Sequence, residues 1–199
     1  MAVFTRSRLW LLQALYALLL SGCALLTPQG GQEHIQDNLS SLSHWQVRGK
    51  LSVISPDDSV TGYLDWKQNR RDFDLYIAGP LGRGATRLSG SRTQASLTLP
   101  GWDAPRSARS AEELMQMYMG WDFPVSDIRY WVKGQPSPNG KFTAEYDEHG
   151  LLSQMRQYGW TIRYSRYSPQ AGYWLPGLVK IEGHDFRFTF SIREWTTYD

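Results

Sequence analysis

The chain has 199 residues, with 21 lysines and arginines against 19 aspartates and glutamates. That near-balance excludes the strongly basic footprint of a nucleic-acid-binding protein. A single cysteine excludes an intrachain disulfide framework, and 9 Trp, 11 Tyr and 7 Phe must line a core, a cavity or a binding face.

The first segment pairs Arg6 and Arg8 with an apolar run from Leu9 to Leu20 that only Gln13 interrupts. A spanning helix needs about 20 apolar residues, so the run suits the hydrophobic region of a cleaved export signal over residues 1–22. Leu20-Ser21-Gly22-Cys23 follows and is similar to a lipobox, the motif at which bacterial lipoproteins are lipidated and cut. The competing reading is an ordinary signal with an incidental cysteine, but that would leave Cys23 with no partner and no purpose. The lipobox likeness implies N-palmitoyl and S-diacylglyceryl groups on Cys23, and several acyl chains make a permanent anchor. Ala24, where a retention aspartate would hold an enteric lipoprotein at the inner membrane, favours the outer one. Without residues 1–22, 177 residues remain with 19 basic and 19 acidic side chains, enough for one domain.

Residues 23–32 contain Pro28, Gly30 and Gly31 and read as a tether of about 17 Å reach. A single domain is expected over 33–199. Ile35, Leu39 and Leu42 recur at helical spacing, which predicts a short amphipathic helix over 33–43. From His44 the period becomes two. Trp45, Val47, Gly49, Leu51 and Val53 define one strand face, Leu64, Trp66 and Gln68 a second, and Phe73, Leu75 and Ile77 a third. Gly79-Pro80-Leu81-Gly82-Arg83-Gly84 is a glycine-rich loop. It serves either as a flexible hairpin turn or, less specifically, as a phosphate cradle. Leu81 sits there either folded back onto the domain or as an exposed apolar tip that dips into a membrane. Short strands follow near 85–90 and 94–99.

Ser110 and Glu113 fit a capping box ahead of Leu114, Met115, Met117, Tyr118 and Met119, with Gly120 as the stop. The three methionines suit a helix packed on the sheet or a mobile helix over a greasy cavity. A second helix is predicted over 126–133, ending at Gly134. Strands resume at Phe142-Ala144-Tyr146, 151–157, 160–167 and 178–182. The last, with Phe186, Phe188, Phe190 and Ile192, is joined by a tight turn at Gly183-His184-Asp185. Ten or so antiparallel strands on short turns would curl toward a barrel.

Chemistry is hard to find. No G-x-S-x-G is present, and His34, His44, His149 and His184 form no metal-binding pair. Asp122 and Asp127 read as surface or capping groups. Neither catalysis nor a bound metal is expected.

Taken in order, the lipobox, Trp45-Gln46-Val47-Arg48-Gly49-Lys50, Trp66-Lys67-Gln68, Gly79-Pro80-Leu81-Gly82, Phe123-Pro124-Val125, Trp131 with Gly134, Gln157-Tyr158-Gly159-Trp160, Leu175-Pro176 and Trp195 resemble the LolB family of bacterial outer-membrane lipoprotein receptors. The resemblance implies a mainly β fold, an unclosed antiparallel β-barrel of ten or eleven strands around a hydrophobic cavity covered by short helices. It implies a protein anchored to the outer membrane and facing the periplasm. Such a protein accepts lipoproteins from a soluble periplasmic carrier of the LolA type and places them in that membrane, with Leu81 in the protruding loop serving the last step. Its partners would be the carrier, lipoprotein acyl chains and outer-membrane lipids, with no nucleic acid, and a monomer is expected. Face and helix assignments nominate Trp66, Phe73, Leu75, Met115, Met117 and Trp131 as cavity lining. Two other classes fit parts of the sequence. The many aromatic rings suit a carbohydrate-binding surface lipoprotein, and the anchor suits an envelope hydrolase, for which no nucleophile and base stand out.

Overall fold

The structure, a computed structural model, describes residues 39–198. The signal segment, Cys23, the tether and most of the helix expected over 33–43 lie outside the described residues; of that helix, residues 39–41 are helical.

Alternating hydrophobicity becomes strands β1 (His44–Ile54), β2 (Ser59–Asn69), β3 (Asp72–Ala78), β4 (Thr86–Gly90) and β5 (Ala95–Thr98), and a short β6 (Arg106–Ala108) follows. Two helices follow, α1 (Ala111–Met119) and α2 (Val125–Trp131). Then come β7 (Phe142–Tyr146), β8 (Leu152–Gln157), β9 (Trp160–Ser165), β10 (Ser168–Gln170), β11 (Tyr173–Leu175), β12 (Leu178–Gly183) and β13 (Phe186–Thr197). Eleven strands form one antiparallel sheet in the order β6-β5-β4-β3-β2-β1-β13-β12-β9-β8-β7. The hairpin β10-β11 stands apart. The edges β6 and β7 do not pair with each other, so the barrel is unclosed. The stretch between those edges carries both helices. This connection covers the concave face of the sheet.

The first and last strands meet at the sheet centre, β1 against β13. Their register slips between Arg48 and Gly49, where Gly49 faces Ile192 and Arg48 faces Glu194. Arg193 is the extra residue of a β-bulge, which shifts the inward phase of β13 from even to odd positions. Trp195 is therefore buried although it falls out of step with Phe188 and Phe190. Gly49 is required at the bulge, since a Cβ there would lie 2.1 Å from the Ser191 carbonyl oxygen.

Two hairpins turn on residue pairs at positive φ, Tyr158-Gly159 (53° and 80°) and His184-Asp185 (50° and 66°). Two-residue turns of this kind match the right-handed twist of the strands they join.

The core centres on Trp45, whose ring meets Trp66 at 4.9 Å and Trp195 at 5.5 Å, both edge-on. Such pairs contribute about 0.5–1.5 kcal/mol each beyond area burial. A smaller cluster packs α1 through Ala111, Leu114 and Met115 onto Leu88, Ala95 and Leu97. The capping box is realised in a shifted form. Ser110 Oγ accepts from the Glu113 backbone N–H, while the Glu113 carboxylate accepts from the N–H of Arg109. Gly120 closes the helix in the left-handed region at φ 68°.

Three short strands, β6, β10 and β11, do not appear in the alternation of the sequence. Each has three residues, too few for a period of two to register.

Candidate functional site

The concave face is not filled by its own side chains. Leu51 and Val53 from β1, Trp66 from β2, Phe73, Leu75 and Ile77 from β3, Leu88 from β4, and Phe188 and Phe190 from β13 form a floor. Met115 of α1, then Trp121, Phe123, Val125 and Ile128 from the interhelix segment and α2, form the opposite wall. The recess between them has a volume of about 200 Å³, below the range of about 300–1,000 Å³ typical of drug-sized ligand sites. The exposed lining residues Arg71, Ser91, Arg92 and Ser126 mark its mouth.

Aromatic contacts hold the covering wall in place. Phe123 stacks on Phe188 with centroids 4.0 Å apart, and Trp121 meets Phe186 edge-on at 5.3 Å. These contacts are apolar with preferred ring geometries, and the Arg129 guanidinium adds a polar link from α2 to the Arg70 carbonyl at 3.5 Å.

Of the six residues nominated from the sequence, Trp66, Phe73, Leu75 and Met115 line the recess. Met117 does not. It is two residues from Met115, about 200° round the helix, and is 59% exposed. Trp131 does not line it either. It is fully buried behind the recess, where its Nε1 donates to Gln157 Oε1 at 2.8 Å. The same oxygen accepts from the Ser137 N–H, and the Gln157 Nε2 donates to the carbonyls of Ser137 and Asn139. Trp131 is thus the anchor that ties α2 to β8.

The segment after α2 is tied down by a second buried polar group. Lys133 donates from Nζ to the carbonyl oxygens of Leu39 and Leu42 at 3.0 and 2.9 Å. Burial, reinforced by the nearby Arg129 charge, lowers its pKa from 10.5 to about 8.

Leu81 lies on the β3–β4 connection, in a 3-10 turn over Pro80–Gly82. Three backbone bonds pin the loop, Gly79 N–H to Arg83 O, Gly82 N–H to Gly79 O and Arg83 N–H to Pro80 O. Leu81 itself has φ 60° and ψ 26° and is 95% exposed. The left-handed region costs a non-glycine residue about 1–2 kcal/mol, so the loop holds an apolar side chain in water on a strained backbone. Phe73 pairs with Gly90 and Ile77 with Thr86. The Leu81 loop therefore stands at the opposite end of these strands from the Arg71 and Arg92 hairpins.

Sequence reasoning missed much of the lining. Leu51, Val53, Phe188 and Phe190 occupy inward positions that alternation does reveal, but alternation does not separate core from cavity. Trp121 and Phe123 lie in an irregular segment, where no period applies.

An open antiparallel half-barrel, with a preformed apolar recess beneath two short helices, is the class of protein that fold and site define. The same architecture occurs in a LolA-superfamily protein of Nitrosomonas europaea, with a TM-score of 0.53 at 10% identity over 85% of this chain and 94% of that one. A DUF1329-family protein of Desulfovibrio piger is similar, with a TM-score of 0.54 at 9% identity over 81% of this chain and 88% of that one. Within that class the particular family is plain: residues 43–195 match the model of the family "Outer membrane lipoprotein LolB", and the chain belongs to it. Relatives named outer-membrane lipoprotein LolB include one from Pseudomonas paraeruginosa, 40% identical over 96% of both chains. Another, from Stutzerimonas stutzeri, is 36% identical over 93% of this chain and 94% of its own.

Proposed function

We propose that this protein is a lipoprotein receptor of the outer membrane. It takes lipoproteins from a soluble periplasmic carrier of the LolA type, shelters their acyl chains in the recess, and passes them into the membrane. Leu81 is the tip that enters the bilayer, and Cys23 carries the protein's own lipid anchor. The observation that carries this reading is the preformed apolar recess in a chain that belongs to the LolB family. An acyl chain of about 16 carbons costs roughly 12 kcal/mol to expose to water, at about 0.8 kcal/mol per CH₂. A cargo with several chains therefore needs an apolar site at every stage, and handover runs downhill if this recess holds the chains better than the carrier does.

Leu81 adds about 1.5–3 kcal/mol on burial. That suits transient contact with the bilayer while the anchor holds the protein in place. A carbohydrate-binding reading requires exposed aromatic platforms, whereas five of the eight tryptophans from Trp45 onward are buried.

The test is delivery to liposomes by Leu81→Glu. The variant is expected to accept lipoprotein from the carrier at the native level and to lose at least tenfold in transfer to vesicles. Native delivery by Leu81→Glu would remove the loop from the mechanism.

A further inference from the structure

Four arginines on the convex face of the sheet have carboxylate partners. Arg48 bridges to Asp65 and Glu194, Arg87 to Asp74, and Arg163 and Arg187 share Glu182. The mouth of the recess differs. Arg71, Arg92 and Arg129 all line it, and no aspartate or glutamate does.

Beside it, sharing Gln68, Arg71 and Arg129 with the recess, lies a polar side pocket of about 210 Å³, to which Arg70 and Lys133 also contribute. This pocket too has no acidic residue in its lining. Among the described residues none of these five cations has a carboxylate within 4.0 Å. The half-buried guanidinium of Arg129 meets only neutral oxygens, the Arg70 carbonyl at 3.5 Å and the Tyr130 hydroxyl at 3.1 Å. Its Nε is enclosed and has no partner among the described residues. The nearby carboxylates of Glu112 and Asp127 are engaged elsewhere, by the Ser126 N–H and the Ser137 hydroxyl.

A half-buried cation such as Arg129 without a counter-ion is unfavourable, and with the exposed Arg70, Arg71 and Arg92 close to the same openings it makes a site for an anion. Arginine forks match phosphate oxygens two at a time. We infer that the recess and its side pocket together form a site for a phosphate-headed lipid, with the acyl chain among Trp66, Phe73 and Met115 and the phosphate between Arg71 and Arg129. This inference rests on the proposed acyl-chain function of the recess and extends it. The acylated cysteine of a lipoprotein presents esters, an amide and a thioether, none of them charged, and does not call for such a cluster.

The experiment uses the full chain in a neutral maltoside detergent. Water-soluble dihexanoyl phosphatidic acid, dihexanoyl phosphatidylcholine and inorganic phosphate are titrated while tryptophan fluorescence is read. Phosphatidic acid is expected to bind at least tenfold more tightly than phosphatidylcholine. The preference should fall below about threefold in Arg71→Gln and in Arg129→Gln, with native melting temperatures showing that both fold. Equal affinity for the two lipids, or a preference that survives both substitutions, overturns the inference. Phosphate competing at the same concentration as phosphatidic acid overturns it in favour of a free-anion site. Phosphatidylcholine binding by the unaltered protein reads the apolar recess separately, so a failed headgroup preference is distinguishable from a failed acyl-chain site.

Discussion

At the scale of single residues, two side chains hold positions that stability alone would not choose. Leu81 is exposed on a left-handed backbone, where glycine or asparagine would be easier. The three backbone bonds of its loop over-determine the conformation, which is how strain persists at functional positions. Lys133 is the reverse, a cation buried where its charge is costly. Its pKa is about 8 in the fold against 10.5 unfolded. Between those values the unfolded chain keeps the proton and the folded chain has shed it, so stability rises with pH across that window. One unit of pH is worth at most about 1.4 kcal/mol for one group. Native protein should therefore gain about 2 kcal/mol relative to Lys133→Met between pH 7.5 and 9.5. Urea denaturation of both proteins across that range measures the difference, which also cancels the tyrosines common to both. A difference independent of pH would mean that Lys133 titrates normally.

At the scale of elements, the structure depends on how the α1–α2 cover is fastened. Its aromatic contacts run to β13 and β9, and its polar fastening centres on Gln157, which satisfies Trp131, Ser137 and Asn139 at once, with Lys133 tying the segment beyond α2. Gln157→Leu leaves three buried groups, the Trp131 Nε1–H and the N–H and carbonyl of Ser137, without partners, each costing about 1–3 kcal/mol. A net loss of about 3–4 kcal/mol is expected after relaxation, measured by chemical denaturation, whereas a loss under 1 kcal/mol would show that the network is dispensable. The sequence reveals the long strands well, because one face is buried and the period of two is strict. It also reveals α1, whose Ser110 cap and Gly120 stop are local chemistry. The role of Trp131 is hidden, because a helical aromatic reads alike whether it lines a cavity or anchors a helix. Met115 and Met117 are distinguished only by the phase at which α1 docks on β4 and β5, which is a tertiary choice. The bulge at Arg193 is equally invisible, since it arises from how β1 and β13 meet.

At the scale of the whole molecule, an eleven-stranded sheet that does not close leaves its concave face to be covered by something other than its own strands. Here the covering chain runs from one edge strand to the other and leaves a recess beneath it. The fold class follows from strand count and short turns, and the family from an ordered set of local motifs. Neither gives the volume of the recess, its wall from Trp121 and Phe123, or the cations at its mouth, because each depends on residues far apart in sequence converging. A lipid anchor on Cys23 and a membrane tip at Leu81, as proposed, would let one molecule stay on the membrane and reach into it. The measurement that tests the central claim most directly is handover. A purified periplasmic carrier loaded with lipoprotein is mixed with the chain from residue 23 onward bearing Cys23→Ala, and with the same chain carrying Val53→Trp, which fills the recess from β1. Cargo should move to the first protein and be found with it on re-purification, and should stay on the carrier with the second. Cargo left on an active carrier by both, or taken equally by both, would contradict a receptor that works by holding acyl chains in this recess.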